Sequence, residues 1–171
     1  MDERRIGETL VAEGVLTEAA VNRALRLQHD FGAHIRLGTL LLNRDPLAEE
    51  ALLQALARHY RVEAASWSAL SGAPIEVTRL IPPATAIRFG AFPYAATNTS
   101  VHIAFVDPSN LAAQDELSAL TNRLVIPTVA LEIRLFHAHQ KFYGRQIPPE
   151  YRSIVERIEQ HAARTKQPGW Q

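Results

Sequence analysis

Arg5-Ile6-Gly7 and Arg36-Leu37-Gly38 are two stretches of one chemical kind, each a guanidinium two residues ahead of a glycine. Apolar residues at three- and four-residue spacing follow both, so each is expected to lie just before a helix. There the unpaired backbone N–H groups and the positive end of the helix dipole sit beside the guanidinium, and glycine lets a ligand approach the backbone. That combination suits an anion, best of all a phosphate, which guanidinium grips through paired hydrogen bonds. At the far end of the first stretch Gln28 offers an amide that can read the edge of a base. The leucines between, Leu10 and its counterpart Leu41 among them, offer an apolar floor for a ring.

The two stretches belong to a longer repeat. Arg5 to Gln28 aligns without gaps on Arg36 to His59 at an offset of 31, with eight identities in 24 positions: Arg5/Arg36, Gly7/Gly38, Leu10/Leu41, Leu16/Leu47, Glu18/Glu49, Ala20/Ala51, Ala24/Ala55 and Leu25/Leu56. A helical hairpin has been duplicated. A solvated arginine is the ordinary reading of one Arg-x-Gly; the repetition is what raises anion binding to equal weight. Two such units about a pseudo-twofold axis present a doubled surface to a ligand of the same symmetry, and a cyclic dinucleotide has it.

Arg5-Ile6-Gly7-x-x-Leu10-Val11-x-x-Gly14, followed by Val21, Leu25 and Gln28, resembles the tandem motif of the MshEN domain, the N-terminal domain of type II secretion and type IV pilus assembly ATPases. The stretch Val101 to Pro108, Val125 to Ala130 and the ending Phe142-Tyr143-Gly144 is similar to the second half of the same domain, so the resemblance runs from about Arg5 to Gly144. It implies a regulatory module that binds cyclic di-GMP and hands that state to a secretion or pilus ATPase or to an inner-membrane platform protein. The ligand contacts it implies are Arg5, Ile6, Gly7, Leu10 and Gln28 in the first copy and Arg36, Leu37, Gly38, Leu41 and His59 in the second, with Asp107 from the later part. The second copy departs from the motif, with Asp45 for the glycine, His59 for the terminal glutamine, and seven residues, His29 to Ile35, where the family has a shorter spacer. These departures keep a second function open, a protein-interaction adaptor of the same fold that no longer binds nucleotide. For Asp107 a turn or cap before Pro108 is the plain alternative.

Other chemistry finds little footing. Eighteen Lys and Arg balance eighteen Asp and Glu, so no basic face for nucleic acid is expected. The absence of cysteine removes thiolate metal sites and cysteine nucleophiles, and suits a reducing compartment. His137 and His139 are two apart in a helical pattern and face different ways, whereas a two-ligand helical site needs a spacing of three or four. No Gly-x-x-x-x-Gly-Lys-Ser/Thr loop occurs, so ATP hydrolysis is not expected. No cofactor or metal is expected, nor is direct insertion into a membrane. No signal-like or membrane-length apolar run occurs, and the chain reads as cytoplasmic.

The elements that must position these residues follow from periodicity. Residues 1–61 are expected to form four short helices, with Thr17 as an N-cap, Pro46 in a first turn behind Asp45, and Leu10, Val11, Leu16, Val21, Leu25, Leu41, Leu42, Leu52 and Leu56 as the inner stripe. Residues 62–147 are expected to be α+β, opening with the Ser-, Pro- and Gly-bearing stretch Ser66 to Pro74 and short helical pieces near Val77 and after Pro83. A hairpin of Ala91 to Ala96 and Val101 to Val106 is next, with His102 facing solvent, then a helix over Asn110 to Asn122. An extended Leu124 to Ala130 leads to a last helix, Glu132 to Tyr143, capped by Gly144. Residues 148–171 are expected to form a loosely attached amphipathic segment with a frayed polar tail that adds little to stability. The expected architecture is α+β, a duplicated helical hairpin packed on a small unit with a short sheet.

Overall fold

The computed structural model describes residues 3–30, 36–42, 49–149, 151–152 and 156, and the chain divides into two compact units, residues 1–59 with 147–171 and residues 60–146.

The described part of the first unit holds α1 (Glu3–Ala12), α2 (Glu18–Asp30), α3 (Leu37–Leu42) and α4 (Glu49–Tyr60). Thr17 caps α2 as its residue type demands, its Oγ1 accepting from the Ala20 N–H at 3.2 Å, with Glu18 complementing the dipole in the first turn. Helix α1 ends in a Schellman turn. Gly14 takes φ +69°, its N–H meeting the Val11 carbonyl and the Val15 N–H that of Leu10, a conformation a β-carbon would strain. The core of this unit is Ile6, Leu10, Val21, Ala24, Leu40, Leu52, Leu53, Ala55 and Ala57. Of the expected stripe, Leu10, Val21 and Leu52 are buried, while Val11, Leu16, Leu25 and Leu56 are half-buried at its margins. Arg58 of α4 reaches back to the end of α1, its Nη2 donating to Glu13 at 2.6 Å. Asp45, Pro46 and the spacer from Phe31 to Ile35 lie outside the described residues.

The second unit is built on a four-stranded sheet of order β1-β4-β3-β2. Here β2 (Ala91–Ala96) and β3 (Ser100–Phe105) form the antiparallel hairpin, β4 (Leu124–Val129) lies parallel to β3, and β1 (Glu63–Ala64) lies parallel to β4. The register slips by one residue between Pro93 and Ala95, a bulge in the edge strand. Thr97 closes the hairpin with its Oγ1, which accepts from the N–H groups of Thr99 and Ser100. One face of the sheet, Val101, Ile103, Phe105 and Val125, packs against Ala86 of α7 (Pro83–Phe89) and Ala113 and Leu117 of α8 (Leu111–Thr121), with Ile81 between. The opposite face, Phe92 and Ala104, is covered by Leu70 of α5 (Trp67–Ser71) and by Leu135 and Ala138 of α9 (Glu132–Tyr143). A short α6 (Ile75–Thr78) precedes α7. The unit is therefore three layers, helices on both faces of one sheet, and the fold is α+β as expected.

Local chemistry explains the boundaries. Asn110 Oδ1 accepts from the Ala113 N–H and starts α8, and Asn122 ends it in the left-handed region at φ 51°. Gly144 ends α9 at φ 67°. Helix α5 was not expected inside the Ser/Pro/Gly stretch; it forms because Ser66 caps it, accepting from the Ala69 N–H, and because Leu70 is fully buried. His102 is half-buried rather than open to solvent, its ring 5.9 Å from that of Tyr94. One β-branched alternation thus carries an aromatic pair on its second face.

Candidate functional site

The candidate residues divide by copy. In the second copy the expectation holds for Arg36 alone, since Leu37 and Gly38 are already the first two residues of α3. The Arg36 carbonyl accepts from the N–H groups of Thr39 and Leu40, at 3.0 and 3.2 Å, so Arg36 is the cap of α3 and Leu37 and Gly38 make its first turn. Their N–H groups precede any intrahelical acceptor. Arg36 and Gly38 are half-buried, accessible without being fully solvated.

The first copy differs. Helix α1 already includes Glu3, so Arg5, Ile6 and Gly7 lie within it and not before it, and the expectation that both stretches precede a helix is corrected for this copy. The physical reason is local: Glu3, Arg4 and Arg5 are good helix formers with an acidic residue at the dipole's positive end, and nothing upstream of Gly7 breaks the ladder. The Gly7 N–H is thereby within reach of a carbonyl four residues earlier. The apolar floor is also more committed than its sequence suggests, since Ile6 is 7% and Leu10 1% exposed, and Gly7 is buried with them. The side chains of Arg5, Leu37 and Leu41 lie outside the described residues.

The distal pair keeps the repeat's register. Gln28 is the eleventh residue of α2 and His59 the eleventh of α4, because both helices begin at the paired residues Glu18 and Glu49. Both are half-buried. Asp107 belongs to the other unit, where its Oδ1 accepts from the Ser109 N–H at 3.1 Å and from the Ser109 hydroxyl. That is an Asx turn leading into α8, which leaves the second carboxylate oxygen for any further contact.

No group of three or more His, Cys, Asp or Glu able to hold a metal ion occurs among the described residues, and none of their helices is long and apolar enough to cross a membrane.

One polar assembly was missed. On α9, His139 is 1% exposed and its Nε2 lies 2.8 Å from the Ala91 carbonyl of β2, while Arg145 Nη1 lies 3.3 Å from its Nδ1. Tyr143 stacks on the imidazole at 5.5 Å and donates its hydroxyl to the Thr78 carbonyl. Burial pushes the His139 pKa down to about 4, the Ala91 carbonyl opposing and Arg145 reinforcing the shift, and burial alone brings His137 to about 4. The signal available in sequence was His139 with Leu135, Phe136, Phe142 and Tyr143 at three- and four-residue spacing on its helix.

Comparison with known proteins agrees with the resemblance read from the sequence: residues 70–149 match the model of the MshEN domain. The chain is 28% identical over 144 residues to the type IV pilus assembly ATPase PilB of Myxococcus xanthus, covering 84% of this chain and 25% of that protein. It is 30% identical over 152 residues to the PilB of Thermus thermophilus, covering 86% of this chain and 17% of that protein. It thus spans a quarter or less of these curated relatives. Among solved structures it is similar to MshE with cdg, at a TM-score of 0.59 and 29% identity over 81% of this chain and 98% of the other.

Proposed function

With the MshEN match as premise, we propose that this chain is a noncatalytic module that binds cyclic di-GMP and regulates a type IV pilus or type II secretion motor on the cytoplasmic side of the membrane. The observation that carries the reading is the similarity to MshE with cdg, which spans nearly the whole of that chain. The residues support it unevenly. Arg36 at the cap of α3, with Gly38 in its first turn, is suited to a phosphate of the dinucleotide, and Gln28 and His59, at equivalent places on α2 and α4, are suited to its two bases. Arg5 and the backbone around Gly7 form the complementary half in this reading; Asp107 is a separate candidate contact on its own unit. The partners are then the pilus or secretion ATPase or its inner-membrane platform protein. Calorimetric titration with cyclic di-GMP, beside GTP and ATP, tests this: saturable 1:1 heat with cyclic di-GMP alone supports it, and none at high micromolar ligand refutes it.

A second reading has a specific observation behind it. With Arg5-Ile6-Gly7 inside α1 and His59 in place of glutamine, the twofold match to a symmetric ligand is imperfect. An adaptor that keeps the fold and no longer holds nucleotide fits those facts. Restoring the motif through His59→Gln with Asp45→Gly separates the two, because only a lapsed sensor gains binding from the change.

A further inference from the structure

Helix α9 ends at Tyr143, and within four residues the chain passes back to the unit formed by the N-terminal residues, which resumes at Ile147. The last residues before that passage are held by more than a helix cap. Gly144, at φ 67°, turns the backbone so that the Arg145 N–H donates to the His139 carbonyl at 3.2 Å. The same turn brings the Arg145 guanidinium over the Phe136 ring, 4.4 Å from its centroid, and Nη1 to within 3.3 Å of His139 Nδ1. Guanidinium has only donors, so Nδ1 must be the bare nitrogen and Nε2 must carry the proton, which it donates to the Ala91 carbonyl. The imidazole is fixed between Phe92 of β2 and Tyr143, whose hydroxyl is anchored on α6 through the Thr78 carbonyl.

We infer that Arg145, held by His139 and Phe136, is a latch that fixes where the chain leaves the α+β unit, with Gln146 as the first residue free to turn. Strand β2 sets the tautomer of His139, the tautomer sets the acceptor for Arg145, and Arg145 sets the exit. The segment beyond Pro148 therefore starts from a fixed point, and any change that removes the bare nitrogen or the arginine fork lets that starting point wander while leaving the sheet intact.

The test needs two measurements on the full chain. In the unaltered protein, nitrogen-proton correlations of the imidazole should show His139 neutral and protonated at Nε2 at pH 7; a ring protonated at Nδ1 overturns the latch without any substitution. In Arg145→Ala, exchange of the residue 145 amide, which donates to the His139 carbonyl, should accelerate roughly tenfold or more, the worth of a hydrogen bond to a charged group, while Ile103 and Phe105 of β3 stay as protected as before. Unchanged exchange at residue 145 in Arg145→Ala, or an equal rise throughout the sheet, overturns the proposal.

Discussion

Taking the protein from pH 7 to pH 5 should destabilise the α+β unit through two imidazoles. His137 is 8% and His139 1% exposed, and each is held at about 4 against 6.5 for an exposed histidine. The groups that face His139 are the Ala91 carbonyl and Phe92 from β2 and Tyr143 and the Arg145 cation at the end of α9; His137 meets the Trp67 ring of α5. A base whose folded pKa is depressed is neutral in the fold and protonated in the unfolded chain between the two values. The unfolded state therefore binds more protons in that interval, and stability falls as the pH drops below 6.5, with the loss complete near 4 and no contribution above 7. At pH 5 the loss is ~2 kcal/mol per histidine, and below pH 4 it reaches ~3.4 kcal/mol. Together the two remove ~4 kcal/mol at pH 5, a large share of the ~5–15 kcal/mol that holds an ordinary domain. Urea unfolding at pH 7, 6 and 5, followed by circular dichroism and tryptophan fluorescence, measures it. Since the carboxylates titrate alike in every variant, the quantity to compare is the change in stability between pH 7 and 5. His139→Phe should shrink that change by ~2 kcal/mol, and His137→Phe by a similar amount. If His139→Phe loses as much stability as the parent over this interval, the buried-imidazole reasoning is wrong.

Three further outcomes are expected. Arg36→Ala should weaken cyclic di-GMP binding by ~1.5–3 kcal/mol in calorimetry, and by more than Arg5→Ala, because only Arg36 caps its helix. Arg61 holds φ +56° just past α4, so Arg61→Gly should raise the melting midpoint by the equivalent of ~1 kcal/mol, while Asn122→Gly, at φ 51° in a residue that tolerates the conformation, should gain less. Tyr151 is 3% exposed, which runs against a loosely attached segment after Pro148, so Tyr151→Ala should cost ~2–4 kcal/mol in chemical denaturation and not the few tenths of a surface change.

Where a residue's local chemistry decides the backbone, the sequence was readable. Asn110 and Asn122 bracket α8, Gly144 closes α9, Thr17 opens α2, and the hairpin follows from alternation around Thr97 to Ser100. What escaped depends on partners distant in the chain. Strand β1 is two residues long and exists only because Glu63 and Ala64 find β4, and α5 is stabilised by burying Leu70. The candidate site shows the same division. The capping place of Arg36 was legible, whereas the upstream growth of α1 past Arg5 was not, because no residue there stops a helix and the repeat suggested a symmetry that the preceding residues do not share. That Ile6 and Leu10 belong to the core was half visible, since an apolar stripe reads alike whether it faces a ring or a neighbouring helix.

The bulge in β2 bears on how this unit can be recruited. An open sheet invites a foreign strand to add itself at an edge, which is a common way for proteins to capture extended peptides and also to aggregate. Here one edge strand carries Pro93, which has no N–H to offer, beside a register slip, and the opposite edge is the two-residue β1. The regular ladder that strand addition needs is interrupted along β2, whereas beyond the reach of β1 the stretch Leu124 to Pro127 of β4 has no strand beside it on that side among the described residues. Recognition at the β2 edge would therefore have to run through side chains, which are selective for sequence where backbone pairing is indifferent to it.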